Sequence, residues 1–370
     1  GLHVAKSLWG IISRGKPDET LSITEQAEYI GACYSYASSL YEDDENVKKE
    51  IDTINKKVYS REDESINALY DWGRAITLEA FESIYSKLGT KFDYYFFESE
   101  MAKIGEDIVR ANIPNIFEES SGAIVFKADK FDPKLHTRVF ISSLGLPMYE
   151  TKEIGLTITK FQKENPDLSI TTTAIEQGEY MKVVTKAIEQ INPKYSSKMK
   201  HITHGMMRLS SGKMSSRKGN IVTGESLIAD SFDVVVDKIK DRDFSQEEKE
   251  NISRLVGVAA LKYSILRSSI GSDIVYDFDK SVSFEGDSGP YLQYSVVRAN
   301  NILLKARNFD LYPKYSEFKN NDLSSLEKYL YRFPEIVNRA VEDFQPHHIV
   351  SYLTELAGYF NQYYALLWNR

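Results

Sequence analysis

Apolar positions recur at helical spacing from the start of the chain. Leu2, Val4, Ala5, Leu8, Trp9, Ile11 and Ile12 share one face, and Gly15 ends the pattern. Lys16 to Thr20 reads as a loop. Ser22-Ile-Thr-Glu25 has the form of a capping box, so a helix is expected from there to about Tyr41. The acidic run Glu42–Glu45 reads as a solvated turn. Two helices follow, near 46–57 and 61–88, the second with a stripe of Ile66, Leu69, Tyr70, Ala75, Leu78 and Phe81. The period then shortens. Phe92–Phe97, Gly122–Ala128, Arg138–Ile141, Leu168–Ala174 and Lys200–Leu209 read as strands. Ser99–Ala111, Thr151–Gln162 and Glu176–Ile191 read as helices between them. Strands alternating with helices predict an α/β part with a largely parallel, doubly wound sheet. Ligands of such sheets gather at the carboxyl ends of the strands.

From Thr223 on the pattern is helical again. Ser245-Gln-Glu-Glu248 caps a helix carrying Leu255, Val256, Val258, Ala259 and Leu261, and Gly271-Ser-Asp273 interrupts it. Leu292–Ala306, Leu323–Arg332, Pro334–Phe344 and His347–Leu367 complete an all-α tail. The expected organisation is an α/β domain over 1–225 with a helical insertion at about 20–90, then a linker and helical bundle over 226–370.

Composition narrows the class without naming a chemistry. The 370 residues are 42% apolar and 27% charged, as in ordinary globular chains. No apolar run approaches the roughly 18 residues of a membrane span, nothing at the start resembles a signal peptide, and the single cysteine, Cys33, cannot form an internal disulfide. These features point to the cytoplasm. A net charge of −8 argues against a protein coated in nucleic acid, while leaving room for a local basic face. The 24 tyrosines and 18 phenylalanines are mainly core mass, with stacking on bases as the other use.

One stretch departs from ordinary loop chemistry. In Gly205-Met-Met-Arg-Leu-Ser-Ser-Gly-Lys-Met-Ser-Ser-Arg-Lys-Gly-Asn220, three cations and two hydroxyls lie between Gly212 and Gly219. Glycines allow the loop unusual backbone angles, and Lys, Arg and Ser supply donors for phosphate oxygens. Most basic runs are solvated surface; the order of residues here is more particular. It resembles the Lys-Met-Ser-Lys-Ser signature of class I aminoacyl-tRNA synthetases, in the extended form of the arginyl type. Two further stretches carry the same resemblance. Phe284-Glu-Gly-Asp-Ser-Gly-Pro-Tyr-Leu-Gln-Tyr294, followed by Arg298, is similar to that family's Gly-Pro-Tyr-Leu-Gln-Tyr element at the entrance to its helical anticodon-binding domain. Tyr149-Glu-Thr-Lys-Glu153 is similar to its Tyr-x-x-x-Asp element.

The resemblance implies a Rossmann-type catalytic domain and a ligase that joins L-arginine to tRNA(Arg). Arginine would attack the α-phosphate of ATP, and the arginyl-adenylate would then esterify the terminal ribose of the tRNA. Mg²⁺ would accompany ATP, held by phosphates and water rather than by a protein cage. It places Lys213 on the leaving pyrophosphate, with Ser215, Ser216, Arg217 and Lys218 assisting; His204, close to that loop in sequence, is expected beside ATP with Met206 and Met207. Selecting a guanidinium calls for carboxylates and amide oxygens. The resemblance assigns that task to Glu98, Tyr149, Glu153 and Gln177. Tyr149 and Glu153, four apart, share a helix face; the alternative is an exposed Glu beside a packed Tyr, and for Gln177 an exposed helix residue. Glu153 stands where the family usually has Asp, one methylene shorter. Tyr291, Gln293, Tyr294 and Arg298 would face tRNA, or else join the helices of two domains. His201 and His204, three apart on a strand, fall on opposite faces, and no structural metal is expected.

The family's His-x-Gly-His signature does not occur in the chain. Gly1–Lys6 resembles the segment that follows it, and the chain stops at Trp368-Asn-Arg370. A segment of a longer protein is therefore expected, a monomer that would not charge tRNA by itself. Two other readings stay open. A cysteinyl-type ligase would hold zinc through several Cys and His, which one cysteine does not suit. A tRNA-binding module without catalysis would bind no ATP.

Overall fold

The computed structural model describes residues 1–210, 223–312 and 323–368. The chain divides into two compact units, Gly1–Tyr95 and Phe96–Arg370.

The first unit is four helices: α1 (Leu2–Arg14), α2 (Ile23–Asp43), α3 (Glu45–Ser60) and α4 (Glu64–Leu88). The Ser22 capping box is formed, with the Ser22 N–H donating to Glu25 at 2.9 Å. The core is Ala5, Leu8, Ile11, Ile30, Cys33, Ala37, Ile51, Ile54, Ile66 and Leu69. Two expectations fail locally. The acidic run is not one turn: α2 continues through Asp43, and Asp44 caps α3 by accepting the Asn46 and Val47 N–H groups at 2.8 and 3.3 Å. A short carboxylate is an effective cap for such free N–H groups. The α4 stripe is buried at Ile66 and Leu69, but Ala75 and Phe81 face outward.

Phe92–Phe97 is not a strand. No neighbouring strand pairs with it among the described residues. Instead the Phe92 ring packs edge-on against Tyr85 of α4 at 4.7 Å, and the Tyr95 hydroxyl donates to Glu82. Ring packing on a helix satisfies the same apolar pattern that a sheet face would.

The second unit opens with α5 (Glu98–Ala111), β1 (Glu118–Ser120), β2 (Ala123–Phe126), β3 (Arg138–Ile141) and α6 (Tyr149–Glu164). Then come β4 (Ser169–Ala174), α7 (Gly178–Ile191), α8 (Pro193–Ser196), β5 (Met199–His204) and β6 (Met207–Leu209). β4 and β5 pair in parallel, from Ser169 opposite Met199 to Ala174 opposite His204, with α7 as the crossover. β6 pairs in parallel with β7 (Ile274–Tyr276). β1, β2 and β3 instead form an antiparallel sheet. The link from β2 to β3 holds only a short turn at Ala128–Lys130, too little for the helical crossover that parallel pairing needs. Behind these strands, Val109, Phe117, Phe126, Phe140, Ile154, Ile158, Val183 and Ile188 make one core.

The strand expected over Lys200–Leu209 is cut in two at Gly205. A Cβ there would stand 2.2 Å from the Ser272 carbonyl oxygen. Only glycine lets the two backbones approach so closely. The chain therefore leaves the β4–β5 pair at His204 and joins β7 from Met207.

The remainder is helical: α9 (Gly224–Ile239), α10 (Gln246–Leu266), the short α11 (Phe278–Ser281), α12 (Gly289–Asn308), α13 (Ser325–Tyr331), α14 (Phe333–Asp343) and α15 (His347–Trp368). The capping box at Ser245 is formed as the sequence predicts. Val235, Val256, Ala260 and Val282 pack α9 against α10, while Leu255 stays exposed. No described helix is long and apolar enough to cross a membrane.

Candidate active site

Two glycines decide where the candidate side chains meet. α5 and α6 cross so closely that a Cβ on Gly105 would lie 1.9 Å from the Thr151 carbonyl oxygen, and one on Gly155 would lie 2.1 Å from that of Met101. With no side chains at the crossing, the two helices run antiparallel in contact: Met101 in the first turn of α5 lies against Gly155, and Gly105 against Thr151 in the first turn of α6. The start of α6 is also fixed from below. The Met148 N–H donates to the Phe140 carbonyl of β3 at 2.8 Å. The Thr151 hydroxyl donates to the same carbonyl, and Arg138 of β3 pairs with Glu150 at 2.6 Å.

On this platform the structure brings Glu98, Tyr149 and Glu153 together. Glu98 is the first residue of α5, its carboxylate largely in solvent, where the helix N-terminus favours negative charge. Tyr149 is the first residue of α6 and 54% exposed. Lys152, only 8% exposed, reaches between them: its Nζ lies 2.8 Å from Glu98 Oε2 and 4.7 Å from the centre of the Tyr149 ring.

Glu153 is different. Burial pushes its carboxyl above the ordinary carboxylate range; Lys160 acts against that shift and Glu98 adds to it. Burial likewise draws Lys160 down, opposed by Glu153. No hydrogen bond or ion pair holds Glu153 among the described residues.

Tyr180 of α7 faces the same group. Its phenol is pushed up to about 12, first by burial and then by Glu153, Glu150 and Glu98. Arg138 lies over its ring at 5.7 Å. Three carboxylates thus converge around two tyrosines. Arg138 pairs with one, Lys152 with another, and Glu153 has the weaker influence of Lys160. Such a site offers negative charge and aromatic faces to a planar cation.

The other candidates lie on other elements. Gln177 is exposed at the turn between β4 and α7, and His204 ends β5, so both lie at the carboxyl edge of the parallel pair. His204 Nδ1 is 2.8 Å from the Gly205 carbonyl oxygen. His201 is turned into the sheet, Nε2 at 2.8 Å from Thr173 Oγ1, and burial lowers its pKa. The Met206 N–H donates to Asp273 at 2.9 Å, with its side chain exposed, and Met207 is half-buried at the start of β6. Lys213, Ser215, Ser216, Arg217 and Lys218 lie outside the described residues. No group of three or more His, Cys, Asp or Glu is placed to hold a metal among the described residues.

The residues of the second motif lie on α12. Gln293 donates to the Leu255 carbonyl at 3.2 Å, turning its amide towards α10. Arg298 donates to Asn361 of α15 at 2.9 Å and to the Tyr294 hydroxyl at 2.6 Å, and its guanidinium lies 4.2 Å from the Tyr294 ring centre. Tyr291 is half-buried in the same helix. Gln293 and Arg298 thus tie α12 to α10 and α15. Sequence reasoning missed Lys152, Glu150, Arg138 and Tyr180. Lys152 stood in plain view inside Tyr149–Glu153, but its partner is 54 residues away.

With this geometry in view, comparison with known proteins gives the class. The profile of the tRNA synthetases class I (R) catalytic domain matches residues 10–278, and the chain belongs to that family. The DALR anticodon binding domain matches residues 292–368. Among curated relatives, the chain is 28% identical over 384 residues to the arginine–tRNA ligase of Borreliella afzelii, covering 98% of this chain and 64% of that protein. It is 30% identical over 310 residues to that of Streptococcus thermophilus, covering 82% and 54%. The chain thus spans between half and two thirds of the length of these relatives. Among solved structures, Thermus thermophilus arginyl-tRNA synthetase superposes with a TM-score of 0.77 at 22% identity, covering 98% of this chain and 66% of that one. The Plasmodium falciparum arginyl-tRNA synthetase gives 0.72 at 17%, covering 98% and 61%. These likenesses establish the fold: a catalytic domain followed by a helical DALR domain.

Proposed function

We propose that this chain carries the arginine-activating site of an arginine–tRNA ligase. The supporting observation is the cluster at the α5–α6 crossing, where Glu98, Tyr149 and a half-buried Glu153 without an ion-pair partner among the described residues meet. Glu153 takes the guanidinium of L-arginine, Tyr149 its flat face, and Glu98 and Gln177 fix the rest of the amino acid. ATP, with its Mg²⁺ as part of the substrate, lies at the carboxyl edge of β4 and β5 near His204, Met206 and Met207. Lys213 draws off the developing pyrophosphate charge, helped by Ser215, Ser216, Arg217 and Lys218. Catalysis here is positioning and electrostatic stabilisation, since the arginine carboxylate is itself the nucleophile. The helical part from about residue 226 holds tRNA(Arg), with Tyr291, Gln293, Tyr294 and Arg298 shaping the approach. The protein acts as a cytoplasmic monomer.

The test is formation of arginyl-adenylate and arginyl-tRNA by the full-length protein. Lys213→Ala should slow adenylation by about a hundredfold or more, the scale of losing a transition-state donor. Arginine affinity should stay within about threefold, because the lysine acts on phosphate. Equal losses in both would remove Lys213 from that role.

A further inference from the structure

The described residues of the proposed arginine pocket already contain a cation. Lys152 is buried, its ammonium 2.8 Å from Glu98 and 4.7 Å from the ring centre of Tyr149, and both partners are largely exposed. A buried lysine between two exposed groups anchors them; the anchored groups remain open to solvent and to a ligand. Lys152 starts from the buried face of α6, next to Thr151, whose carbonyl touches Gly105 at the crossing. It has little freedom to leave, so an incoming cation would share Glu98 with it and not replace it.

The charges divide accordingly. Arg138 engages Glu150 and Lys152 engages Glu98 at ion-pair distance, which leaves Glu153 as the carboxylate without a direct partner. One free acid suits one guanidinium. Glu98, already compensated, can still accept through its second oxygen without adding an uncompensated charge.

We infer that Lys152 is a positioning residue for arginine recognition: it fixes the Glu98 carboxylate and the Tyr149 ring from below, so that Glu153 alone faces the guanidinium. This rests on the arginine reading of the site. It makes a prediction opposite in sign to simple charge counting. Removing a lysine from a pocket for a cation should, by Coulomb attraction alone, tighten binding. If Lys152 positions its neighbours, Lys152→Met weakens it.

The experiment is calorimetric titration of L-arginine into the full-length protein, for wild type, Lys152→Met, Glu98→Gln and the double variant. We expect each single variant to weaken binding about tenfold, the scale of one charge-assisted hydrogen bond. The double variant should lose at least fivefold less than the product of the two, because both act through one contact. Lys152→Arg, which keeps a donor for Glu98, should restore most of the affinity. Tighter binding by Lys152→Met, or losses that simply multiply, would overturn the inference while leaving the arginine site standing. Wild type that binds no arginine would overturn the site itself and this inference with it. Should Lys152→Met not fold, Lys152→Gln, similar in length but uncharged, runs the same cycle.

Discussion

Glu153 is the residue on which the account turns, and its environment makes it testable by pH. Its carboxyl is held above the ordinary range by burial. In the unfolded chain it would ionise near pH ~4.3. Between that pH and its raised folded value, the folded chain holds a proton the unfolded chain has released. The stability this gives is full below the unfolded value and is lost as pH rises through the folded one. Glu153→Gln cannot ionise, so its melting temperature should gain on wild type as pH is raised from about 4 to 7. A flat difference would place the carboxylate in solvent. Arginine binding should show the reverse trend, since the guanidinium favours the ionised acid. Affinity should fall as pH is lowered through the raised value, and Glu153→Gln should be about tenfold weaker at neutral pH, with that dependence gone. That Tyr149 and Glu153 share a helix face was legible from their spacing, while their role came only from the family resemblance. The Lys152–Glu98 pair was not legible, because it depends on how two distant helices cross.

At the scale of elements, the α5–α6 crossing is the feature that holds the site. Gly105→Ala or Gly155→Ala would drive a methyl into a backbone carbonyl, where no side chain can move aside. Each should cost about 1–3 kcal/mol of stability, the range for overpacking. Arginine affinity should fall with it, because Glu98 and Lys152 sit on opposite helices. Gly31 in α2 is the control, with nothing within 4 Å of its would-be Cβ. Gly31→Ala should stabilise by about 0.5–1 kcal/mol through helix propensity. Chemical denaturation of the three variants checks both signs, and equal behaviour would mean the crossing is looser than described. Helix starts were legible wherever the signal was local, as in the Ser22 and Ser245 capping boxes. Strands were less so. Phe92–Phe97 has a strand's composition but no partner, and Lys200–Leu209 is divided by a contact between Gly205 and Ser272 that no local pattern encodes.

At the scale of the whole molecule, the catalytic and DALR matches meet around residues 279–291. A polar node lies there. The Tyr263 hydroxyl of α10 donates to Asp287 and lies 2.7 Å from Thr354 Oγ1 of α15, while Arg267 pairs with Asp287 at 2.9 Å. Burial and the hydrogen bond to Asp287 push the phenol up to about 12, so it stays a donor throughout the neutral range. Tyr263→Phe should cost about 1–3 kcal/mol, the range for a lost hydrogen bond to a charged group. Unchanged denaturation would show that Arg267 alone holds Asp287.

The most direct measurement is a comparison of two ligands titrated into the wild-type protein: L-arginine and L-citrulline, which has nearly the same shape and no charge on its end group. A site built around an unpaired, half-buried carboxylate should bind arginine at a single site and citrulline about a hundredfold or more weaker, because the neutral ligand leaves that charge unmatched. Equal binding of the two, or arginine binding that survives Glu153→Gln unchanged, would contradict the account.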